Sequence, residues 1–240
     1  MRRVPGRHRP GAGARVRPPG PLPPCLPLSL AALAAGGPSA AAPLGRVVGG
    51  ALLGGLAALA LGPYLRRQGS AVPAWAWVGG VGLILALVAA VSGPAAHLLP
   101  ALALALGLSV AAAVDLHTHR IPNAVVLAIL GSGALAQALG VGWVPPLPAL
   151  GAGLACGAVF ALLALLSRGG FGWGDVKLAA AMGWLLGPRL ALLAMCATAL
   201  VAGLVAAGLL LARRRGLRDA LPFAPFFLAG GLIALCLGVH

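Results

Sequence analysis

The carboxylate side chains are the residues whose types and spacing most directly indicate chemistry in this chain. Its 240 residues include no Glu and only three Asp: Asp115, Asp175 and Asp219. Asp115 and Asp175 lie at the edges of long apolar runs, and an ionisable residue at membrane depth is costly enough to indicate a functional site.

Two neighbouring carboxyl groups do not readily both ionise, so they share a proton. Such a pair supplies a base to activate water and an acid to protonate a leaving group, as peptide-bond hydrolysis requires. Because the protons belong to the pair, neither role is assigned to one Asp.

Asp115 follows the apolar run 95–114 and precedes Ile121-Pro122-Asn123. Proline suits the first turn of a helix, because its missing N–H would be unpaired there. A second helix is therefore predicted to begin near Pro122. Taken alone, Asp115 is best interpreted as a polar helix end that faces the lipid headgroups.

Asp175 follows the segment 169–174, in which four of six residues are glycine. Glycines permit a close approach by another segment. Asp175 then begins a helix, where the helix dipole favours a carboxylate, and taken alone it fits an ordinary helix start. The sequence Gly-x-x-x-x-Gly-Lys-Ser/Thr is absent, so the segment is not predicted to bind phosphate.

The composition predicts a polytopic membrane protein. Hydrophobic residues make up 60% of the chain and charged residues 8%, whereas a soluble domain has about 25% charged residues. Mean hydropathy is +1.01. The predicted fold class is all-α, an integral membrane helical bundle with about 7–9 transmembrane segments.

Three regions are predicted along the chain. Residues 1–45 form an Arg/Pro/Gly-rich N-terminal segment that is disordered or contains a weak first span. Residues 46–93 form N-terminal transmembrane helices, and residues 95–240 form a catalytic membrane domain. The apolar runs are 46–64, 72–93, 95–114, 121–141, 147–166, 176–187, 190–211 and 221–238. A single helix over 176–211 would overshoot the bilayer, so two crossings are predicted there.

The basic residues predict one orientation for these crossings. The basic positions fall in alternate loops, with Arg189 as the exception: Arg66, Arg67, Arg120, Arg168, Lys177, Arg213, Arg214, Arg215 and Arg218. By the positive-inside rule these loops are cytoplasmic. The three Asp residues then all lie at cytoplasmic helix ends. The 60 residues between Asp115 and Asp175 (175 minus 115) cross the membrane twice, so adjacent spans can bring the two carboxyl groups together.

Three motifs in series resemble the signature of prepilin peptidases, the type IV leader peptidase family of membrane aspartic proteases. The motifs are Asp115 with Arg120-Ile-Pro122-Asn123, then Gly172-x-Gly174-Asp175-Val-Lys177, then Leu221-Pro-Phe-Ala-Pro-Phe226. The similarity covers about residues 95–238. A lone Gly-x-Gly-Asp is weak, but the order and spacing of all three are specific.

The resemblance implies that Asp115 and Asp175 are catalytic, with Arg120, Pro122, Asn123, Gly172, Gly174 and Lys177 as supporting motif residues. It implies cleavage of a basic leader from prepilin or pseudopilin precursors at the cytoplasmic face of the bacterial cytoplasmic membrane. It implies no metal or organic cofactor. Larger bifunctional members also N-methylate the new terminus and carry paired Cys-x-x-Cys motifs. This chain lacks those motifs, so methylation is not expected.

The remaining polar residues receive plainer interpretations. His117 and His119 flank Asp115 and fit surface-loop histidines better than catalytic ones. Lys177 fits either a substrate contact or a topology anchor. Asp219 is predicted to pair with Arg218 or the 213–215 cluster, which also suits anionic headgroups.

Small residues and cysteines are predicted to pack between helices. Glycine or alanine recurs at four-residue spacing, which allows close helix contact in lipid, at Gly50/Gly54, Gly153/Gly157 and Gly203/Ala207. The cysteines are scattered and fit buried apolar residues rather than a thiolate zinc site. They are Cys25, Cys156, Cys196 and Cys236.

Two other function classes stay open, and one is not supported. A presenilin-type intramembrane aspartic protease shares Gly-x-Gly-Asp, but usually has Tyr-Asp on the preceding span, where this chain has Val114-Asp115. A proton-coupled transporter would also use membrane carboxylates, but it predicts a polar path across the bilayer. The net charge of +14 forms no basic face with interleaved aromatics, so no nucleic-acid partner is predicted.

Overall fold

The structure, a computed structural model, describes residues 41–67, 73–91, 95–167, 172–212 and 221–238. These residues form seven helices and no strand: α1 (Ala41–Arg67), α2 (Ala74–Val91), α3 (Ala95–Thr118), α4 (Asn123–Ala138), α5 (Pro146–Leu166), α6 (Trp173–Leu211) and α7 (Ala224–Gly238). The predictions for residues 1–40 and for Asp219 lie outside the described residues. The predicted run 46–64 corresponds to α1, which begins at Ala41.

The helices are apolar on most of their surface, as expected for segments in lipid. Strong helix formers such as Leu and Ala dominate them. Leu147 and Leu83 are 80% and 72% exposed, and such exposure suits lipid better than water. Among the described residues, α1, α3, α5 and α6 are long and apolar enough to cross a membrane, and α2, α4 and α7 are shorter apolar helices. The all-α membrane bundle predicted from the composition is confirmed.

Helix α3 is the centre of the bundle. Of its most apolar stretch, 61% is buried, against 17–28% for the other three long helices. It contacts α1, α2, α4, α6 and α7. Its side chains therefore face protein on several sides, including at the end that carries Asp115.

The end of α3 differs from the predicted run 95–114. The helix continues to Thr118, so Asp115 lies in the last turn and not at the boundary. His119 then has φ +50°, the left-handed conformation that commonly ends a helix. The carbonyl of Asp115 accepts the His119 N–H at 2.9 Å, which satisfies a carbonyl that the helix leaves unpaired. The predicted start near Pro122 is confirmed, because α4 begins at Asn123.

Helix α6 consists of two halves that meet at Gly187. This residue has φ +72° and ψ 175° inside an otherwise helical segment, and Pro188 follows it. Glycine reaches such a positive φ without the steric cost that a side chain would carry. The first half packs antiparallel to α5. A Cβ on Gly157 would lie 3.1 Å from the Cβ of Ala180, and Gly187 lies against Val144, which precedes α5.

The second half of α6 returns beside α5. Met195 and Phe160 line the same cavity of about 330 Å³. Gly187 lies near the start of α5. If α6 were straight, Met195 would lie about 12 Å beyond Gly187, because each residue adds about 1.5 Å, and it would therefore lie past the start of α5 and away from Phe160. The chain therefore reverses direction at Gly187, as expected if 176–211 contains two crossings.

Two of the three predicted small-residue pairs contact a neighbouring helix. A Cβ on Gly54 would lie 2.9 Å from Gly82 of α2, and one on Gly153 would lie 3.0 Å from the carbonyl oxygen of Ala180. Their partners Gly50 and Gly157 pack likewise. Gly203 has no atom within 4 Å of such a Cβ, so the structure assigns it no close helix contact.

Candidate active site

The carboxyl group of Asp115 is held by the N-terminus of another helix. Asp115 is 5% exposed, and its Oδ2 accepts the N–H of Ala224 at 2.9 Å. Ala224 is the first residue of α7, where N–H groups have no partner within the helix. The bond joins residues 109 apart in the sequence. It satisfies both the carboxyl oxygen and the first amide of α7.

The carboxyl group of Asp175 is held by its own helix start. Gly172 donates its N–H to Asp175 Oδ2 at 3.1 Å. The Asp175 N–H donates to the carbonyl oxygen of Gly172 at 3.0 Å. This reciprocal arrangement resembles a capping box, in which a side chain at the third helical position binds back to the cap. Asp175 is 9% exposed, so its position is fixed by both burial and hydrogen bonding.

Asp115 and Asp175 come together as the sequence suggested. Their carboxyl groups are close enough to interact electrostatically. Asp115 approaches from the last turn of α3 and Asp175 from the first turn of α6. Because both are buried, water and substrate would meet two carboxyl groups already fixed in orientation.

Two contacts join the segments that carry the carboxyl groups. A Cβ on Gly174 would lie 3.0 Å from the Cβ of Ile121, so only glycine allows this approach without displacement. Lys177 Nζ donates to Asn123 Oδ1 at 3.1 Å. The first and second sequence motifs are therefore in direct contact.

The other supporting residues lie around this contact without reaching the carboxyl oxygens in any described hydrogen bond. The carbonyl of Pro122 accepts the N–H of Val125 at 3.1 Å and begins α4. Arg120 is exposed, and its carbonyl accepts the Thr118 hydroxyl at 3.5 Å. His119, also exposed, interacts electrostatically with Asp115. His117 lies in the last turn of α3 and not in a loop as predicted, and its Nδ1 is 3.1 Å from the carbonyl oxygen of Ala113 in the same helix.

Ala224 is the site residue that the sequence did not single out. Its contribution is a backbone amide, which every residue type except proline carries. The signal that could have identified it was the third motif, residues 221–226. The sequence shows that this motif follows a basic loop, but it does not show which group the motif contacts. Proline at 225 is suited to an early helical position and marks where α7 begins.

The described residues contain no group of three His, Cys, Asp or Glu side chains that could hold a metal ion. The functional groups brought together are two carboxyls with backbone donors, Gly172 for Asp175 and both Ala224 and Phe223 for Asp115. Chemically, this arrangement can hold a water molecule and exchange a proton with it.

Part of the chain that contains this site is similar to known proteins. Residues 102–208 match the model of the type IV leader peptidase family. The chain is 34% identical over 150 residues to a prepilin leader peptidase/N-methyltransferase of Bacillus subtilis, covering 61% of this chain and 58% of that protein. Proteins of the same name from Burkholderia pseudomallei and Pseudomonas putida are 35% and 30% identical over 167 and 169 residues.

These matches cover 65% and 66% of this chain, and 52% and 57% of the respective relatives. The chain thus spans little more than half the length of these relatives. No solved structure matches it. The matched segment, residues 102–208, contains both Asp115 and Asp175, and this part of the chain is similar to the type IV leader peptidase family.

Proposed function

We propose that the protein is a membrane-embedded aspartic endopeptidase with Asp115 and Asp175 as its catalytic pair. The observation that carries the proposal is that two buried carboxyl groups, 60 residues apart (175 minus 115), lie close enough to interact electrostatically, and each accepts a backbone N–H. Buried carboxylates are costly unless they are paired and hydrogen-bonded. A purely structural pair of acids at this position would be difficult to explain.

The proposed reaction uses one shared proton. The unprotonated carboxyl removes a proton from the water that attacks the scissile carbonyl carbon, while the protonated carboxyl gives its proton to the carbonyl oxygen, which yields a gem-diol. When the C–N bond breaks, the carboxyl that took the proton from water passes it to the leaving nitrogen. The other carboxyl takes a proton back from a gem-diol hydroxyl, so the pair again holds one proton. Backbone amides engage Oδ2 of both residues. These bonds hold both carboxyl groups in place for the water and the peptide.

The proposed substrates are prepilin-like or pseudopilin precursors with a basic leader ahead of an apolar segment. The matched relatives from three bacteria are named prepilin leader peptidases, which supports this substrate class. Asp115 and Asp175 lie in the terminal turns of apolar helices, which suits a cut at the membrane surface, before the apolar segment. The proposed location is the bacterial plasma membrane, with the active site facing the cytoplasm. Arg66, Arg67 and Lys177 support this orientation by the positive-inside rule.

The test is co-expression of a cognate prepilin with the wild-type protein, Asp115→Asn or Asp175→Asn. We expect the leader to be removed by the wild type and retained with either variant, because the amide keeps the shape of the carboxyl but cannot serve as base. Asp219→Asn is the matched control and is expected to process normally. Wild-type processing by either catalytic-pair variant would refute the assignment.

A presenilin-type protease is the second candidate, because Gly172, Gly174 and Asp175 fit its Gly-x-Gly-Asp pattern. Mass spectrometry of the product separates the two. A cut before the apolar segment supports a leader peptidase, and a cut within it supports the alternative. The same spectrum tests methylation of the new N-terminus, which we expect to be absent.

The transporter hypothesis receives no support from the span interiors. Apart from the two aspartates, the buried polar residues in the described part of the chain are Ser109 and Thr198. Their hydroxyls donate to carbonyls four residues earlier in the same helix, Ala105 and Ala194, at 2.7 Å. Both are satisfied locally and provide no polar path across the bilayer.

A further inference from the structure

The first turn of α7 makes a contact with Asp115 that the chemistry above does not require by itself. Ala224 is fully buried, at 0% exposure, and its N–H reaches Asp115 Oδ2. An aspartate side chain has two rotatable bonds, so its carboxyl group needs an external partner to keep one orientation. Without this bond, the buried N–H of Ala224 would lack this partner, and a buried N–H without a partner costs about 1–3 kcal/mol.

A cluster of four phenylalanines fixes where that first turn lies. Phe227 is fully buried and packs on Phe160 of α5 with ring centroids 5.1 Å apart. Phe223, immediately before Ala224, lies 5.7 Å from Phe227 and 6.3 Å from Phe160. Phe226 lies 5.5 Å from Phe223. Tilted and edge-to-face aromatic pairs at these distances are stabilising beyond the area they bury.

We propose that the start of α7, held by the phenylalanine cluster, positions Asp115 for catalysis through the amide of Ala224. Ala224 is thus a positioning residue and the phenylalanines act through it. This inference rests on the proposed function. It assigns a role to the third sequence motif, residues 221–226, whose composition is apolar and offers no side chain for the reaction.

The inference explains why the two carboxyl groups need different supports. Asp175 lies in the same turn as its donor Gly172, so local backbone geometry suffices to orient it. Asp115 lies in the last turn of a helix, where the nearby backbone offers carbonyl oxygens and not N–H donors. A donor for Asp115 must come from another segment, and α7 supplies it along with the favourable field of its N-terminus.

The test removes the N–H of Ala224 and keeps its side chain, and it also weakens the Phe223 carbonyl, which accepts the N–H groups of Phe226 and Phe227. Replacing Ala224 by L-lactic acid through nonsense suppression, with synthesis of the full chain into nanodiscs, converts the amide to an ester while keeping the methyl side chain. We expect kcat to fall about 10- to 100-fold with KM unchanged, the range for a lost hydrogen bond to a charged group. The acidic limb of the pH–rate profile should also move to higher pH, because an N–H donor favours the ionised carboxyl.

The matched control is the same ester at Ala229, later in α7. There the lost N–H is that of an ordinary intrahelical bond to the carbonyl four residues earlier, so the chemical change and the monomer are identical. We expect wild-type kcat and an unmoved pH profile. If the ester at 224 behaved like the ester at 229, the positioning role would be refuted.

A second variant tests the phenylalanine cluster. Phe160→Leu should lower kcat about tenfold and move the acidic limb in the same direction, because the first turn of α7 loses part of its support. Trp77→Leu is the comparison: Trp77 is buried in α2 and bonds the carbonyl of Ala58 at 2.9 Å. It should lower the melting temperature without moving the pH profile. A pH profile unmoved in both variants would contradict the role of the cluster.

Failure of this inference differs from failure of the proposed function. If the wild type cleaves prepilin and both Asp→Asn variants do not, the function stands, and an inert ester at 224 refutes the positioning role alone. If the wild type leaves prepilin uncut, or Asp115→Asn cleaves it, the function itself fails.

Discussion

Lys177 donates a hydrogen bond of 3.1 Å to the side-chain oxygen of Asn123, across 54 residues of sequence. Lys177 lies two residues after Asp175, and Asn123 begins α4 just after the loop that leaves Asp115. The bond therefore connects the two segments that carry the carboxyl groups. Both side chains are exposed, so water competes for the bond, and we expect it to contribute no more than about 1 kcal/mol.

Breaking this bond should have a small and non-additive effect. Lys177→Met and Asn123→Ala should each lower kcat/KM up to about fivefold, which corresponds to about 1 kcal/mol. The double variant should be no worse than the more impaired single variant, because both remove one interaction. Kinetic measurement of the four proteins checks this. Multiplicative losses would show that Lys177 acts elsewhere, for example on substrate.

Gly174→Ala should impair activity by crowding Ile121. The added Cβ would lie 3.0 Å from the Ile121 Cβ, and neither atom is at the end of a flexible side chain. Overpacking of this kind costs about 1–3 kcal/mol, and the displacement acts directly on the neighbour of Asp175. We expect at least a tenfold loss in leader cleavage.

The matched control is Gly151→Ala in α5, where an added Cβ meets no atom within 4 Å. This variant should cleave normally and be slightly more stable, because alanine favours a helix more than glycine does. Unaltered cleavage by Gly174→Ala would show that Ile121 yields without moving the site.

Gly187→Ala should destabilise the reversal within α6. It forces a side chain into φ +72° and against Val144. We expect a loss of about 2 kcal/mol or more from backbone strain and overpacking together, measured by equilibrium unfolding in detergent. Gly140→Ala is the comparison, because Gly140 also has a positive φ, +68°, but no atom lies within 4 Å of the added Cβ. It should be destabilised less than Gly187→Ala, and an equal loss would contradict a cost from the Val144 contact.

Cleavage should depend on pH as expected for a pair that holds one proton. At low pH both carboxyl groups are protonated and no base remains, and at high pH both are ionised and no acid remains. A plot of kcat/KM against pH should therefore be bell-shaped for the wild type and for Asp219→Asn. A rate independent of pH on the acidic side would contradict a carboxylate base.

Hydropathy and charge in the sequence predicted a polytopic membrane protein and the positions of most spans. They also predicted that Asp115 and Asp175 lie on the same side of the membrane. These properties are local: lipid selects apolar runs of sufficient length, and basic loops select one side. The break within 176–211 was also predictable, because a single helix would be too long and would misplace the basic loops. The seven described helices follow these runs closely.

Only the tertiary structure decided which groups hold the carboxyls. The Asp115 bond to Ala224 spans 109 residues and uses a backbone amide, so no residue type in the sequence marks it. The extension of α3 to Thr118, the packing of Gly174 on Ile121 and the phenylalanine cluster around Phe227 likewise depend on how whole helices pack. Sequence patterns identify which residues can react, whereas helix packing sets their orientation, because the hydrogen bonds that fix a side chain come from segments distant in the chain.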